Sequence, residues 1–215
     1  MFRAIDQWKY LGSWFSSQRK DYILDHAIPW LTFDAINFLK KNLSRNLRVF
    51  EYGSGGSTLF WLKYDAICVS IEHDPEWHAM VKARLKSTDR VELRLVGADP
   101  SAPSLERPDI SDPESYLTDW PAYASQTFHN YVCQIDSFAD GYFDVVLVDG
   151  HARPSCIAHS YKKVKSGGLL IVDNAELPQY QAALHEYLVA FKCHSFTAIA
   201  PVEGVLSRTN VYIAP

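Results

Sequence analysis

The amino-acid sequence predicts an α/β protein built on a doubly wound, mostly parallel sheet. Three observations carry that reading. From Arg48 onward, short β-branched runs alternate with helical segments, as a parallel sheet covered on both faces requires. The first of these runs closes on a glycine-rich loop, and later runs close on acids.

The elements follow in order. Residues 1–45 carry Trp8, Trp14, Phe15, Trp30 and Phe33 and read as a helical cap ahead of the first strand. Phe2, Ile5 and Trp8 stand at helical spacing, which suits packing; a roof over a ligand pocket and a contact between two copies, as a homodimer, are the other uses open to this segment. Arg48–Gly53 is the first strand, followed by a helix over Ser57–Tyr64. Cys68–Glu72 is the second strand. Pro75 suits the first turn of a helix running to Lys86, with Asp74 as its N-cap. Val91–Val96 is the third strand. The segment 100–121 holds five of the eleven prolines and reads as a long irregular loop, a kind of segment that is usually functional. Phe143–Asp149 and Gly168–Asp173 are the fourth and fifth strands, with a helix opening near Pro154 between them and another near Leu177, which Asn174 is placed to cap. Phe196–Ala200 and Asn210–Ala214, joined through Gly204, read as a closing antiparallel pair.

Composition narrows the function. The 215 residues suit one domain, 1–215, and 47% apolar with 21% charged residues is ordinary for a globular protein. A net charge of -4 argues against a nucleic-acid partner, which calls for a basic face. No apolar run of about 18 residues exists, so no membrane partner is expected, and the N-terminus lacks the layout of a secretory signal. Cys68, Cys133, Cys156 and Cys193 show no metal-binding spacing and read as buried thiols of a reduced compartment, so the expected location is cytoplasmic.

In an open α/β sheet, ligands bind beyond the carboxyl ends of the strands. The loop Glu51-Tyr52-Gly53-Ser54-Gly55-Gly56-Ser57-Thr58 stands at that place. It lacks the Gly-Lys-Ser/Thr ending of a phosphate-binding loop, and Thr58 occupies the position where a dinucleotide fingerprint needs its third glycine. Glu72 ends the second strand nineteen residues after Gly53, the spacing of an acid that grips a ribose diol. The acid two residues ahead of Gly-x-Gly resembles the first motif of the class I S-adenosylmethionine-dependent methyltransferases. The chain is most similar to small bacterial members that also carry the phrase found here as Val148-Asp149-Gly150-His151-Ala152-Arg153.

The resemblance implies a Rossmann-like sheet of seven strands and a cofactor, S-adenosylmethionine. It implies that Glu51, Gly53, Ser54, Gly55, Ser57, Thr58, Glu72, His73 and Asp99 bind that cofactor, with Glu51 facing its positive charge. The acceptor is expected to be a small molecule methylated at a hydroxyl oxygen. Asp149, His151 and Arg153 are the expected catalytic groups: His151 as a base titrating near neutrality, Arg153 to neutralise an anionic acceptor. Asp149 with Asp173 and Asn174 is similar to the magnesium site of catechol-type O-methyltransferases, and hard oxygen ligands suit Mg2+. Arg153 lying between the two carboxylates is the competing arrangement. The lysine those enzymes carry three residues after the first Asp is Ala152 here. The alternatives are a non-catalytic relative that keeps the cofactor pocket as an interaction module and an NAD(P)-dependent oxidoreductase.

Overall fold

The computed structural model describes residues 4–100 and 109–215. A 3-10 helix over Ala4–Tyr10 comes first, followed by three α-helices: α1 (Leu11–Ser17), α2 (Tyr22–Asp25) and α3 (Phe33–Asn42). Strands and helices then alternate through β1 (Arg48–Tyr52), α4 (Gly56–Leu62), β2 (Ile67–Glu72), α5 (Pro75–Lys82), β3 (Val91–Leu95), α6 (His129–Val132), β4 (Phe143–Val148), α7 (Arg153–Ser160), β5 (Val164–Val172), α8 (Gln181–Leu188), β6 (Lys192–Ile199) and β7 (Leu206–Ile213). The seven strands lie in the order β3-β2-β1-β4-β5-β7-β6. Strands β1 to β5 pair in parallel, because every connection among them carries a helix across the sheet, and β7 runs antiparallel between β5 and β6. This is the fold class expected.

Both faces of the sheet are buried, which explains why the central strands read as near-continuous apolar runs. Successive residues point to opposite faces. Phe50, Tyr52, Val146 and Val148 pack with Phe128, Tyr131 and Ile157. Val49, Leu147 and Ile171 pack with Ile36, Leu39, Phe60 and Trp61.

Several boundaries move. β5 opens four residues ahead of Gly168, since Val164 pairs with Phe143 before a register shift next to Gly167 (φ +72°). β6 opens at Lys192, its outer half being a polar edge with little apolar signal. Asp74 does cap α5, accepting the Trp77 amide at 2.7 Å. Asn174 does not cap a helix: it takes a left-handed conformation (φ +50°), and a short 3-10 turn over Pro178–Tyr180 leads into α8 instead.

The N-terminal segment divides. Phe2 and the side chain of Ile5 lie outside the described residues, and Trp8 is 69% exposed, so it is not core. Tyr10 packs instead, stacked on Phe33 at 5.0 Å. Leu24 and Leu31 are buried. The chain around Ile28 presses on α4 so closely that a Cβ at Gly56 would stand 2.0 Å from the Ile28 carbonyl oxygen. Tyr10, Ile23, Leu24 and Leu31 therefore tie this segment into the core. Cys68 and Cys156 are buried as expected, but Cys133 is half-buried and Cys193 exposed. Among the described residues, no helix is long and apolar enough to cross a membrane.

Candidate active site

The carboxyl ends of β1, β2, β4 and β5 open on a cavity of about 650 Å³. It lies where the strand order reverses, with β1 leading outward to β2 and β3 and β4 leading the other way. The glycine loop forms one wall. Gly53 takes φ +87°, and a Cβ there would lie 3.1 Å from the Asp149 carbonyl oxygen, so only glycine lets β1 turn this close to the end of β4. Gly53, Ser54, Gly55 and Ser57 line the cavity, as do Glu72, His73, Asp149, His151, Arg153, Asp173 and Asn174.

Three predicted residues are not brought there. Glu51 is fully buried beneath the loop, where it accepts hydrogen bonds from Thr58 Oγ1, from Ser70 Oγ at 2.6 Å and from Trp61 Nε1 at 2.9 Å. Burial pushes its carboxyl above the usual range, against those bonds. Thr58 accepts in turn from the Gly55 amide at 3.0 Å. Glu51 and Thr58 thus brace the loop from below and offer nothing to a ligand. Asp99 turns away from the cavity, accepting from the Asn130 amide at 3.1 Å and its side chain at 2.5 Å.

Glu72 anchors a chain of polar groups. Its Oε2 accepts from the Ser54 amide (3.1 Å) and hydroxyl (2.8 Å). Its Oε1 accepts from the His73 and Asp74 amides (2.8 and 2.9 Å) and faces His73 Nδ1 at 3.0 Å. Burial pushes the carboxyl up, but His73, the Asp74 amide and Ser54 outweigh it and hold the group below the usual range. His73 Nε2 lies 3.0 Å from His151 Nε2, and His151 Nδ1 lies 2.9 Å from Thr118 Oγ1. His151 also stacks on Phe128 at 4.6 Å. Burial, then the neighbouring His73 and Arg153, lower His151 to about 4. A neutral imidazole with both nitrogens engaged is not a base titrating near neutrality, and that expectation is corrected.

Arg153 closes the far side. Its Nε donates to the Gly150 carbonyl (2.9 Å), Nη1 to the Asp173 carbonyl (2.6 Å) and Asn174 Oδ1 (2.9 Å), and Nη2 to the Asp149 carbonyl (3.3 Å) and Oδ1 (3.2 Å). A guanidinium has five N–H donors, and all five are used. Nothing is left to bind an acceptor's carboxylate. The same arrangement decides against magnesium: a permanent cation already holds the Asp149 carboxylate and the Asn174 oxygen, and the Asp173 carboxylate accepts from Thr209 Oγ1 at 2.6 Å. The three expected ligands do not fit Mg2+. Burial, then the charge of Asp173, push Asp149 well above the usual carboxylate range despite Arg153. Burial likewise pushes Asp173 up to about 6, opposed by Arg153 and Thr209. One guanidinium stands against two carboxylates, Asp173 buried and Asp149 half-buried, and the described cavity wall is short of positive charge.

Sequence reasoning missed much of the outer wall. Trp30, Trp77, Asp119, Trp120, Tyr123, Tyr180 and Glu203 line it. Trp77 donates to the Ser54 carbonyl at 2.8 Å and so fixes the loop from above. Trp30 brings the N-terminal segment to the cavity wall, and Asp119 and Trp120 bring the 100–121 loop there. Residues 101–108 of that loop lie outside the described residues.

No protein-family model matches the chain, and no curated protein matches it. Solved structures do. The precorrin 8W decarboxylase of Methanobacterium thermoautotrophicum matches with a TM-score of 0.52 and 18% identity, over 87% of this chain and 92% of that one. The 1,6-didemethyltoxoflavin-N1-methyltransferase of Burkholderia thailandensis, solved with S-adenosylhomocysteine, matches at 0.50 and 13% identity, over 98% of this chain and 88% of that one. An S-adenosylmethionine-dependent O-methyltransferase of Thermotoga maritima matches at 0.50 and 14% identity, over 84% of this chain and 63% of that one. The chain has the class I methyltransferase fold.

Proposed function

We propose that the protein transfers a methyl group from S-adenosylmethionine to a small molecule, with a hydroxyl oxygen as acceptor. The observation that carries the reading is the charge balance at the ends of β4 and β5: the Asp149 and Asp173 carboxylates line a cavity walled by the glycine loop, with one guanidinium, Arg153, beside them. A sulfonium answers that imbalance, whereas the pyrophosphate of NAD(P) would add to the repulsion. The bound cofactor would supply an activated methyl on a leaving group that departs as a neutral thioether.

The chain's own residues do the rest. Gly53, Ser54, Gly55 and Ser57 present backbone and hydroxyl groups to the cofactor's amino-acid portion. Glu72 is placed for the ribose diol, but its two oxygens offer about four lone-pair sites and already face five donors. The movable ones, the Ser54 hydroxyl and the His73 ring, give way when the diol binds. Arg153 holds Asp149 by Oδ1, while Oδ2 has no protein partner among the described residues. That oxygen accepts the proton of the acceptor hydroxyl, in the base role expected of His151. His151 positions His73 and the roof through Thr118.

A second acceptor class is favoured by one feature. Asp119 and Glu203 stand on the outer wall among Trp30, Trp120 and Tyr180, and among the described residues Arg153 is the only lysine or arginine lining the cavity. Aromatic faces with carboxylates suit an amine.

A pH titration tests the charge argument. In the free protein Asp149 and Asp173 are raised, and a cation beside them lowers them again. Binding then releases protons from the ordinary value of about 3.9 upward, through the Asp173 value of about 6 to the raised value of Asp149. Affinity for S-adenosylmethionine relative to S-adenosylhomocysteine should therefore rise with pH across that window, by at most about tenfold per unit for each proton released, and level off above it. Calorimetric titrations of both ligands measure the ratio. A ratio constant with pH would place the sulfonium away from these carboxylates.

A further inference from the structure

At the surface, outside the residues that line the cavity, a second group of side chains has the composition of a transition-metal site. Cys133 and Asp136 lie three residues apart in the 3-10 turn Cys133–Ser137 that continues α6, and such a turn brings residues at that spacing onto one face. His159, one residue from the end of α7, faces them. One ligand atom from each of the three lies within 4.8 Å of the other two. His159 Nδ1 stands 2.9 and 3.0 Å from the two Asp136 oxygens. His129, one helical turn before Cys133, borders this set of three with its Nε2 3.6 Å from Cys133 Sγ.

We propose that Cys133, Asp136 and His159 bind one divalent zinc-class ion, with water in the fourth position. A thiolate, an imidazole and a carboxylate with one water make a mixed set of the kind a tetrahedral Zn2+ takes, and the thiolate disfavours Mg2+ and Ca2+. The ion replaces the proton of the Cys133 thiol, and no redox step is involved. Two separate pieces of chain would be joined by it: the turn after α6, and α7, whose first residue is Arg153. The site also borders the roof of the cavity. The Tyr116 ring packs edge-on against His129 at 4.6 Å, its hydroxyl lies 3.4 Å from His159 Nε2, and its carbonyl accepts the Phe128 amide at 2.8 Å. Residues 116–128 include Asp119, Trp120 and Tyr123 of the cavity wall. The role is structural, pinning that segment to α7. It stands independently of the methyl-transfer reading.

Cobalt titration of the reduced, chelator-treated full-length protein tests it. Co2+ should bind with one-to-one stoichiometry and give a thiolate-to-cobalt charge-transfer absorption together with the visible bands of tetrahedral coordination. Zn2+ should displace it and raise Tm. Cys133→Ser should abolish the charge-transfer band, His159→Gln should weaken Co2+ binding by more than about tenfold, and Cys193→Ser, at the exposed thiol, should leave both unchanged. Absence of the charge-transfer band in the unmodified protein would overturn the proposal. So would a band that persists in Cys133→Ser and disappears in Cys193→Ser, or Co2+ affinity unchanged in His159→Gln.

Discussion

Asp149→Asn is expected to lower kcat by about 10²- to 10⁴-fold, the usual contribution of a positioned general base. Asparagine keeps an oxygen for Arg153 and nearly the same volume, so the fold and the Arg153 network should survive. The proton acceptor is what is lost. S-adenosylhomocysteine should bind the variant about as well as the parent, because the cofactor's ribose is assigned to Glu72 on the far wall. The comparison variant is His151→Asn. With both ring nitrogens already engaged by His73 and Thr118, its loss should disturb the roof and raise KM without changing the pH dependence of kcat. Steady-state kinetics of both variants separate the roles. Undiminished kcat in Asp149→Asn would remove Asp149 from the chemistry.

Glu51→Ala is expected to destabilise the protein by about 3–5 kcal/mol, since the hydroxyls of Thr58 and Ser70 and the indole N–H of Trp61 all lose their acceptor in a fully buried site, at roughly 1–3 kcal/mol for each group left unpaired. For a chain of this length that lowers Tm by roughly 10 °C. Glu51→Gln keeps one acceptor oxygen and should lose less. The sign of the pH effect is also fixed. A carboxyl raised by burial binds its proton more tightly folded than unfolded, so its contribution to stability is greatest at low pH. That contribution declines as pH rises from the unfolded value of about 4.3 through the higher folded value. Thermal denaturation across pH checks both points, and the part of the pH dependence due to Glu51 should vanish in the Gln variant.

The alternation of apolar runs and helices made the sheet legible, and the strand ends that face the cavity followed from it. Glu72 and Asp149 could be placed because each stands at the carboxyl end of a strand beside the switch in chain order. Glu51 was misplaced for a physical reason: its neighbourhood to the glycine loop suggests a ligand, while the two-residue period of β1 puts it on the same face as Val49, under α4. Its hydroxyl partners Thr58 and Ser70 come from two different elements. The arginine-for-metal substitution turned on donor geometry, since nothing in the order Asp149-Gly150-His151-Ala152-Arg153 says that all five guanidinium donors fold back on the ends of β4 and β5. The histidine pair His73–His151 joins residues 78 positions apart. Trp30, Asp119, Tyr180 and Glu203 reach one cavity from four separate segments, and no local pattern marks them. Cys133 illustrates the same limit, because the spacing of cysteines alone is silent about a histidine and an aspartate supplied by the fold.

The central claim is that this cavity is built for S-adenosylmethionine, and thermal denaturation with its demethylated product tests it most directly. S-Adenosylhomocysteine at a hundred times its dissociation constant should stabilise the protein by about 2.7 kcal/mol, which raises Tm by roughly 5–10 °C for a chain of this size. Glu72→Gln, which keeps the shape of the strand end and weakens the diol grip, should lose most of that rise while its own Tm stays close to the parent's. NADH should give no rise in either protein. A rise with NADH and none with S-adenosylhomocysteine would contradict the account.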